Sequence, residues 1–421
     1  MAKILIHTLV FPPDLNSNAY VLADLAREWK KYGHEITVLT TTPHYNTTEE
    51  TSQKQPLVPF RGKWLYKSEF EGIPCYHIKV SEKKGGILSR ITTAFRFHRL
   101  ALHIARSKEL ECEIVVTQSP TILAGLVGSW IAKRNNAKSI YIVQDVFPDG
   151  FIHLANLKNR WLISLLHKIE HHVYAVTDAV TVISKGMYDL LRSRVSDNKI
   201  LRVIPNFVDV DLYHQMPRHN AFSGEHCFDD CFLVSYVGNF GKAQNFSPVL
   251  EAAKQLKDLP IRFLLVGGGV MYEKLLTEKE LNHLDSLKVL GYQPRDTTPL
   301  INAASDLSLV LLNQDVLSTA FPSKIYTLMA SGKPILLCAN PKSDVFQFVE
   351  ETGIGWAIDI NDNTAFTEKI RYLSQHPEEL KRAAETGCQL VRDFYTLPII
   401  AEKYHRLFQE PLADAPTPGE E

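Results

Sequence analysis

The sequence lacks the features that mark a secreted or membrane-spanning protein. Six cysteines are scattered over 421 residues, too few for a disulfide framework, so a reducing cytoplasmic setting is expected. Cys227 and Cys231 are four positions apart, but no second Cys or His pair follows at zinc spacing. No run approaches the roughly 18 apolar residues that a membrane-spanning helix needs.

The sequence also has no excess of positive or negative charge. Lys and Arg total 46 against 47 Asp and Glu, so nucleic-acid binding is not expected, and any electrostatic partner must meet a local patch. The chain opens with a short apolar run that ends at Pro12-Pro13 with no small-residue cleavage site behind it. That pattern predicts a buried first strand rather than a signal peptide.

Short apolar runs alternate with helical patterns in two blocks, which is typical of parallel doubly wound sheets. The pattern predicts an N-terminal domain over residues 1–204, a linker over 205–230 and a C-terminal domain over 231–395. A helix over 396–408 is expected to pack back on the first domain, and the Pro- and acid-rich tail 409–421 to be disordered. Ligands of such sheets bind beyond the carboxyl ends of the strands, here in an expected cleft between the domains.

Two segments of the first block carry polar residues at expected strand ends. Asn16, Ser17 and Asn18 follow strand one and could offer backbone N–H groups to a ligand hydroxyl or anion, or could simply cap the next helix. Asp145 ends another buried strand. It could accept a hydrogen bond from a sugar hydroxyl or orient an acceptor, or it could form a turn, and both interpretations stay open.

Glycines end two strands of the second block. Gly238 and Gly241 precede Lys242, and three consecutive glycines begin at Gly267. Glycines let the backbone approach a phosphate and a lysine neutralises it, although flexible turns would explain the same residues.

A proline marks the expected start of a short helix later in this block. Pro322 stands where a first helical residue should, and the pattern runs to about Ala330 before a stop at Gly332. Unpaired N–H groups and the positive end of the helix dipole attract anions. With Lys324 beside them, they predict a diphosphate site, a plain capped helix being the alternative.

Residues 81–108 form a locally basic segment in a neutral chain. They hold seven Lys or Arg and one Glu, with apolar residues interspersed. A basic amphipathic helix of this kind suits an anionic membrane surface, so attachment is expected through residues 83–108, while a solvated basic face is the alternative. Residues 161–168 could add to this surface, but core packing is the expectation there.

The order of several short segments resembles family 4 of the retaining glycosyltransferases over nearly the whole chain. The resemblance implies an α/β, GT-B fold: two doubly wound Rossmann-like domains with a cleft between them. The matching pieces are the Pro12-Pro13-Asp14 loop with Asn16, Gly33-His34-Glu35, Val182-Ile183-Ser184, Ile204-Pro205-Asn206, Val237-Gly238, Val266-Gly267, Gly291-Tyr292 and Ala330-Ser331-Gly332-Lys333-Pro334.

Three further segments are similar to one branch of that family. Val143-Gln144-Asp145-Val146-Phe147-Pro148-Asp149, the Gly238–Gln244 segment and Pro322-Ser323-Lys324 resemble enzymes of O-antigen and colanic-acid assembly, among them the N-acetyl-L-fucosaminyl transferases.

The chain departs from the family at its usual polar donor contacts. Thr319 and Thr327 stand where the family has two glutamates, Gln244 where it has a phosphate-binding Lys, and Asn239 where it has an Arg. The resemblance then leaves Asp145, Lys242 and Lys324 as the expected catalytic residues, the two lysines serving the diphosphate. The expected donor-binding residues are Gly238, Asn239, Gln244, Gly267, Tyr292, Thr319, Ala320, Ser323 and Thr327, and the expected acceptor-binding residues are Asn16, Ser17 and Asn18.

The resemblance implies retaining transfer of a sugar, such as an N-acetylated 6-deoxyhexose, from a nucleotide diphosphate to a lipid-linked or polysaccharide acceptor. UDP is favoured over GDP, no metal or other cofactor is expected, and the protein is expected at the inner face of the cytoplasmic membrane. Two alternatives stay open: a nucleotide-sugar epimerase on the same fold, and a non-catalytic sugar- or lipid-binding relative.

Overall fold

The structure is a computed structural model that describes residues 1–14, 17–44, 53, 55–80, 87–105, 107–119, 121–154 and 157–411. The chain divides into two compact units. The first unit is formed by residues 1–152, 157–205 and the C-terminal residues from 397 onward, and the second by 153–156 and 206–396.

The first unit is built on a mostly parallel sheet whose central strands are buried. Such strands are apolar along their whole length because both faces of a parallel sheet are covered. Ile4 lies in register with Ile36 on one side and Ile114 on the other. The strands pair in the order β3-β4-β5-β2-β1-β6-β7-β8-β9, with antiparallel pairing only among β3, β4 and β5. They are β1 (Lys3–His7), β2 (Glu35–Thr41), β3 (Val58–Arg61), β4 (Leu65–Phe70), β5 (Ile73–Ile78), β6 (Ile114–Gln118), β7 (Lys138–Val143), β8 (Ala179–Val182) and β9 (Ile200–Val203).

The second unit has a wholly parallel sheet in the order β12-β11-β10-β13-β14-β15. Its strands are β10 (Phe232–Val237), β11 (Ile261–Val266), β12 (Leu287–Leu290), β13 (Leu307–Leu311), β14 (Ile335–Ala339) and β15 (Gly355–Asp359). Strand order reverses between β10 and β13, so loops leave the carboxyl ends of β10 and β13 in opposite directions. That point is where ligands of such sheets bind.

Helices connect the strands of both sheets. They are α1 (Ser17–Lys31), α2 (Ile87–Ile104), α3 (Ile122–Asn135), α4 (Asp149–Leu154), α5 (Arg160–Val176), α6 (Lys185–Leu191), α7 (Ala221–Glu225), α8 (Ser247–Gln255), α9 (Tyr272–Leu281), α10 (Thr298–Ala304), α11 (Lys324–Ala330), α12 (Asp344–Thr352), α13 (Asn363–Leu373), α14 (Pro377–Leu390) and α15 (Leu397–Gln409). No helix among the described residues is long and apolar enough to cross a membrane.

Close packing explains two glycines in α3. A Cβ atom at Gly125 would lie 2.6 Å from Val173 of α5, and one at Gly128 would lie 2.3 Å from Thr117 of β6. Larger residues would therefore push α3 off both neighbours.

The expected C-terminal helix is α15, and it packs against α1 of the first unit. Trp29 is fully buried there, with its ring centroid 5.6 Å from that of Tyr404 and 5.0 Å from that of Phe408. Of the expected disordered tail 409–421, residues 412–421 lie outside the described residues.

The expected linker over 205–230 is folded from residue 206 onward as part of the second unit. Phe222 and Phe228 are buried against Leu233 of β10. The Arg218 guanidinium pairs with both carboxylate oxygens of Asp306, at 2.7 and 2.8 Å. The sequence could not predict that this segment is folded, because its one described helix has only five residues, too few to show a helical period.

Candidate active site

Two loops at the carboxyl end of the second sheet depend on glycine. Gly238 follows β10 with a φ of 149°, and Gly267 and Gly269 follow β11 with φ of 147° and 140°. Residues with a side chain rarely adopt these angles. The backbone path after both strands is therefore open only to glycine.

The same glycines interlock the two loops. The Gly238 N–H donates to the Val266 carbonyl at 2.9 Å, and the Phe240 N–H donates to the Gly268 carbonyl at 2.8 Å. A Cβ atom at Gly267 would lie 1.8 Å from the Gly238 carbonyl oxygen. Backbone atoms, and not side chains, therefore form the surface of the site where these two loops meet.

Asn239 and Gln244 lie in this loop pair. The Gln244 side-chain oxygen accepts a hydrogen bond from the Gly241 N–H at 3.0 Å. The Asn239 side-chain oxygen lies 2.6 Å from where a Cβ atom of Gly269 would be. The backbone carbonyl of Asn239 accepts a hydrogen bond from the Tyr236 hydroxyl at 2.9 Å. Both residues therefore shape the loops.

Tyr292, after β12, covers the neighbouring glycine. Its hydroxyl donates to the Gly268 carbonyl at 3.1 Å, and its ring is what a Cβ atom at Gly268 would meet, at 2.6 Å. The side chain is still 65% exposed. Tyr292 thus offers an open aromatic face beside the glycine loops.

Lys324 is the most unusual residue of the site. Its Nζ is buried and has no hydrogen-bond partner within the part of the chain that the structure describes. It lies 3.4 Å from the centroid of the Tyr236 ring, and 3.2 Å from where a Cβ atom of Gly238 would be. Burial lowers the pKa of Lys324 to about 7. A ring face compensates only part of the cost of burying an ammonium group, so this group suits an anion.

Lys242 is in a different environment. Its side chain is exposed, and its carbonyl accepts a hydrogen bond from the Asn313 side chain at 3.2 Å. The Asn313 N–H in turn donates to the Ala243 carbonyl at 2.7 Å. These bonds fix the loop backbone at the end of β13 but leave the Lys242 ammonium in solvent.

The segment that carries Lys324 begins later than expected. Lys324 itself is the first helical residue, with Ser323 as a cap residue whose side chain makes no capping bond, so Pro322 precedes the helix. Gly332, with a φ of 64°, closes the segment as expected.

The remaining expected donor residues lie on either side of this helix start. Thr319 and Ala320 are half-buried in the preceding turn. The Thr327 hydroxyl donates to the Lys324 carbonyl at 2.8 Å, so it is engaged within the helix.

In the first unit, Asp145 follows β7 and is anchored through its backbone. Its N–H donates to the Ser119 hydroxyl oxygen at 3.0 Å, and that hydroxyl donates to the Asp145 carbonyl at 3.1 Å. Burial raises the pKa of the Asp145 carboxyl to about 6. No hydrogen bond to that carboxylate holds the turn in the described part of the chain, which favours the ligand-facing interpretation over the turn-forming one.

Sequence reasoning missed two polar residues near these strand ends. Gln118 ends β6, and both polar atoms of its buried side chain are without a partner among the described residues. Asp14 is buried and accepts a hydrogen bond from the His44 N–H at 2.8 Å. The sequence signal that could have identified Gln118 is the one that identified Asp145, a polar residue at the end of a buried strand.

The expected acceptor residues are only partly described. Asn16 lies outside the described residues, and Ser17 is the first residue of α1. Asn18 is half-buried and has an interaction partner. Across the described ranges, no group of three or more His, Cys, Asp or Glu could hold a metal ion.

Both units match known protein families. Residues 18–206 match the glycosyl transferase 4-like domain, and residues 221–389 match the glycosyl transferases group 1. The protein is a glycosyltransferase. Its domains and relatives place this glycosyltransferase among the hexosyltransferases.

Two curated relatives show how far the similarity extends. Over 241 residues the glycosyltransferase is 27% identical to glycosyltransferase WbjE of Pseudomonas aeruginosa, a match that covers 55% of this chain and 59% of WbjE. Over 383 residues it is 21% identical to the colanic acid biosynthesis glycosyl transferase WcaI of Escherichia coli (strain K12), covering 88% of this chain and 91% of WcaI.

Solved structures share the fold of the glycosyltransferase. Sucrose-phosphate synthase from Thermosynechococcus elongatus superposes with a TM-score of 0.76 at 16% identity, covering 97% of this chain and 98% of that one. HepE of Anabaena, solved in complex with UDP and glucose, gives 0.72 at 14% identity, with 97% and 99% covered. The chain therefore has the expected GT-B fold, with two Rossmann-like units.

Proposed function

We propose that this glycosyltransferase moves a hexosyl group from a nucleotide diphosphate sugar to a lipid-linked or polysaccharide acceptor. The observation that carries the proposal is the buried, unpartnered Lys324 ammonium beside the bare backbone of Gly238. A diphosphate supplies the anion that this group lacks, and glycine lets its oxygens approach the backbone.

The donor is a UDP-sugar on this proposal, with UDP favoured over GDP, and no metal is needed. HepE, a structural neighbour, was solved with UDP-glucose, which supports a uridine nucleotide. The exposed ring of Tyr292 beside Gly268 offers a stacking surface to the base. Lys324 and backbone N–H groups take the part that a divalent cation has in other transferases.

Transfer proceeds with retention of anomeric configuration. Lys324 stabilises the charge that grows on the leaving diphosphate, which is the electrostatic role of preorganised groups in catalysis. The β-phosphate takes the acceptor proton as the acceptor enters on the same face. Asp145 positions the acceptor or the sugar, and with its pKa raised to about 6 its carboxyl is mostly ionised at neutral pH and can accept a hydrogen bond from a hydroxyl.

The sugar on this proposal is an N-acetylated 6-deoxyhexose, and the product is a cell-surface polysaccharide such as O-antigen. The named role of WcaI in colanic acid biosynthesis supports the polysaccharide assignment. The motif Val143-Gln144-Asp145-Val146-Phe147-Pro148-Asp149 supports the sugar, by its similarity to the N-acetyl-L-fucosaminyl transferases.

The acceptor lies at the inner face of the cytoplasmic membrane, and α2 contributes to attachment there. Phe97 and His98 of this helix are buried, whereas Phe95, Arg96 and Arg99 point outward, Phe95 being 63% exposed. An outward face that combines an aromatic ring with arginines suits an anionic bilayer.

The α2 proposal is tested by changing charge on that face. Arg96→Glu with Arg99→Glu should weaken cosedimentation with anionic vesicles several-fold and leave the melting temperature unchanged. Lys254→Glu with Lys257→Glu, also exposed but in the second unit, is the matched control. Equal binding by both double variants would remove α2 from the proposal.

One assay tests the transfer itself. Turnover of UDP-sugars is followed with and without a lipid-linked acceptor, in the presence of a chelator. Transfer requires the acceptor and survives chelation, and the anomeric proton of the product shows retention by NMR. Turnover without an acceptor would indicate an epimerase, no turnover would indicate a binding protein, and an inverted product would refute the retaining course.

A further inference from the structure

The first half of α5 is exposed where core packing was expected. Trp161 is 88% exposed, Leu165 53% and Leu162 41%. Residues 161–168 therefore do not pack into the core as the sequence pattern suggested, and that expectation is wrong. Three large apolar side chains instead form one surface at the start of the helix.

The outward residues of α5 follow helical spacing. Trp161, Leu165 and Lys168 are separated by four and three positions, so they lie one above the other on a single face. His172 and Val176 extend the same stripe and are also exposed. We call these five residues the α5 stripe.

The exposed charged residues within the α5 segment have one sign. Lys158, Arg160 and Lys168 are all exposed. The one acidic residue between positions 157 and 176 is Glu170, which is 1% exposed on the opposite face. Within residues 157–176, therefore, no exposed acidic side chain opposes an anionic surface that approaches this helix.

The inner face of α5 is held independently of the stripe. The carboxylate of Glu170 pairs with Arg194 at 3.0 Å and accepts a hydrogen bond from the Tyr174 hydroxyl at 3.1 Å. Arg194 also pairs with Asp149 at 2.6 Å. Val173 is fully buried. Because these contacts anchor the helix, its outward side chains can be changed without loosening it.

We propose that the α5 stripe docks on an anionic lipid bilayer, with Trp161 and Leu165 entering the interface and the lysines and arginine contacting lipid head groups. Tryptophan favours the membrane–water interface because its ring is apolar and its N–H still reaches water. Exposed apolar side chains with cationic side chains beside them bind an anionic bilayer. This inference concerns a second surface, distinct from α2, and it does not depend on which sugar is transferred.

Trp161 itself reports on docking. Of the five tryptophans, all of which lie in described residues, it alone is exposed. The full-length protein is mixed with vesicles of phosphatidylcholine with phosphatidylglycerol, or of phosphatidylcholine alone. Fluorescence emission should shift to the blue with the anionic vesicles, and lipids brominated on the acyl chain should quench it. Trp161→Phe should remove the shift and the quenching while vesicle binding persists.

Paired variants separate apolar insertion from general hydrophobicity. Trp161→Ser with Leu165→Ser should reduce partitioning into anionic vesicles by about tenfold or more, the scale of two buried apolar side chains. Leu281→Ser, at a site 72% exposed in the second unit, should change it less than about twofold. Lys168→Glu should weaken binding, and Lys274→Glu, also exposed, should not.

Three outcomes would overturn the inference. One is no blue shift in the wild type with anionic vesicles. Another is equal partitioning by the Trp161→Ser, Leu165→Ser variant and the wild type. A third is dissociation of a dimer by that variant with unchanged vesicle binding, which would assign the stripe to a second copy of this chain. Each readout is independent of sugar transfer, so a failure here leaves the proposed reaction untouched.

Discussion

The carboxyl ends of the two sheets present different groups: mainly glycine backbone in the second unit and polar side chains in the first. In the second unit, the loops after β10 and β11 are bare glycine backbone with one buried cation, Lys324. In the first unit, the strand ends carry polar side chains, the buried Gln118 at the end of β6 and the half-buried Asp145 after β7. Backbone that only glycine can adopt suits a fixed, charged group such as a diphosphate. Side chains can vary between proteins, which suits an acceptor that differs from enzyme to enzyme.

The largest effect is expected where the backbone loops interlock. Gly267→Ala places a Cβ atom 1.8 Å from the Gly238 carbonyl oxygen. We expect it to lower the free energy of unfolding by about 3 kcal/mol or more and to abolish UDP binding. Thermal denaturation and calorimetry measure the two effects.

Gly353→Ala is the matched control for that prediction. Gly353 also has a left-handed φ, 69°, but a Cβ atom there would meet nothing within 4 Å. It should lower the free energy of unfolding by only about 1 kcal/mol and leave UDP binding intact. Similar losses in both variants would show that backbone angle, and not the interlock, dominates.

Asp145→Asn tests the strand ends of the first unit, where polar side chains are presented. Transfer should slow by about 100-fold, the scale expected when a reactant is mispositioned, with no trapped sugar–enzyme intermediate. UDP affinity should be unchanged, because the diphosphate contacts are assigned to the second unit. A weaker UDP affinity in this variant would contradict the assignment of all diphosphate contacts to the second unit.

The same substitution has a pH signature. Burial raises the pKa of the folded Asp145 carboxyl from 3.8 to about 6. Between these values the unfolded chain loses the proton and the folded chain keeps it, so wild-type stability falls as pH rises. Asp145→Asn removes this loss, and its stability advantage should grow from pH 4 to pH 6 and then stay level. A pH-independent difference in denaturant midpoints would contradict the pKa shift.

Lys324 and Lys242 can be compared directly within one site. Lys324→Met should weaken UDP binding by about 1.5–3 kcal/mol, the scale of a charged hydrogen bond. It should also raise the free energy of unfolding of the free protein by about 1–3 kcal/mol, because it removes an unpaired buried amine. Lys242→Met should cost under about 1 kcal/mol of UDP binding and leave stability unchanged, because its ammonium is in solvent. Equal losses would place both lysines on the diphosphate.

The sequence carried more information about the second unit than about the first. The apolar run 232–237 coincides with β10, and the glycines after it marked the site. Strands β3 to β5 could not be found by the same alternation, because they are antiparallel and β3 is exposed along its length. Tertiary packing, which a local pattern does not contain, decided those cases.

Two features of the candidate site were beyond a linear pattern. The burial of Lys324 depends on Tyr236, which is 88 positions away in the sequence. The exposure of Trp161 depends on what does not pack against α5, and an amphipathic sequence does not say which apolar face finds a partner. Pro322 predicted too early a helix start, because Lys324 is the first helical residue.

Proton uptake on UDP binding tests the central claim, that a diphosphate is the missing partner of Lys324. With a pKa of about 7, the free Lys324 amine is mostly neutral at pH 8. A bound diphosphate should restore its charge, because an adjacent anion raises the pKa of an amine. Calorimetry at pH 8 in buffers of different ionisation enthalpy should therefore show uptake of close to one proton per UDP bound, and none for Lys324→Met. Absence of uptake in the wild type, or equal uptake in both proteins, would contradict the account.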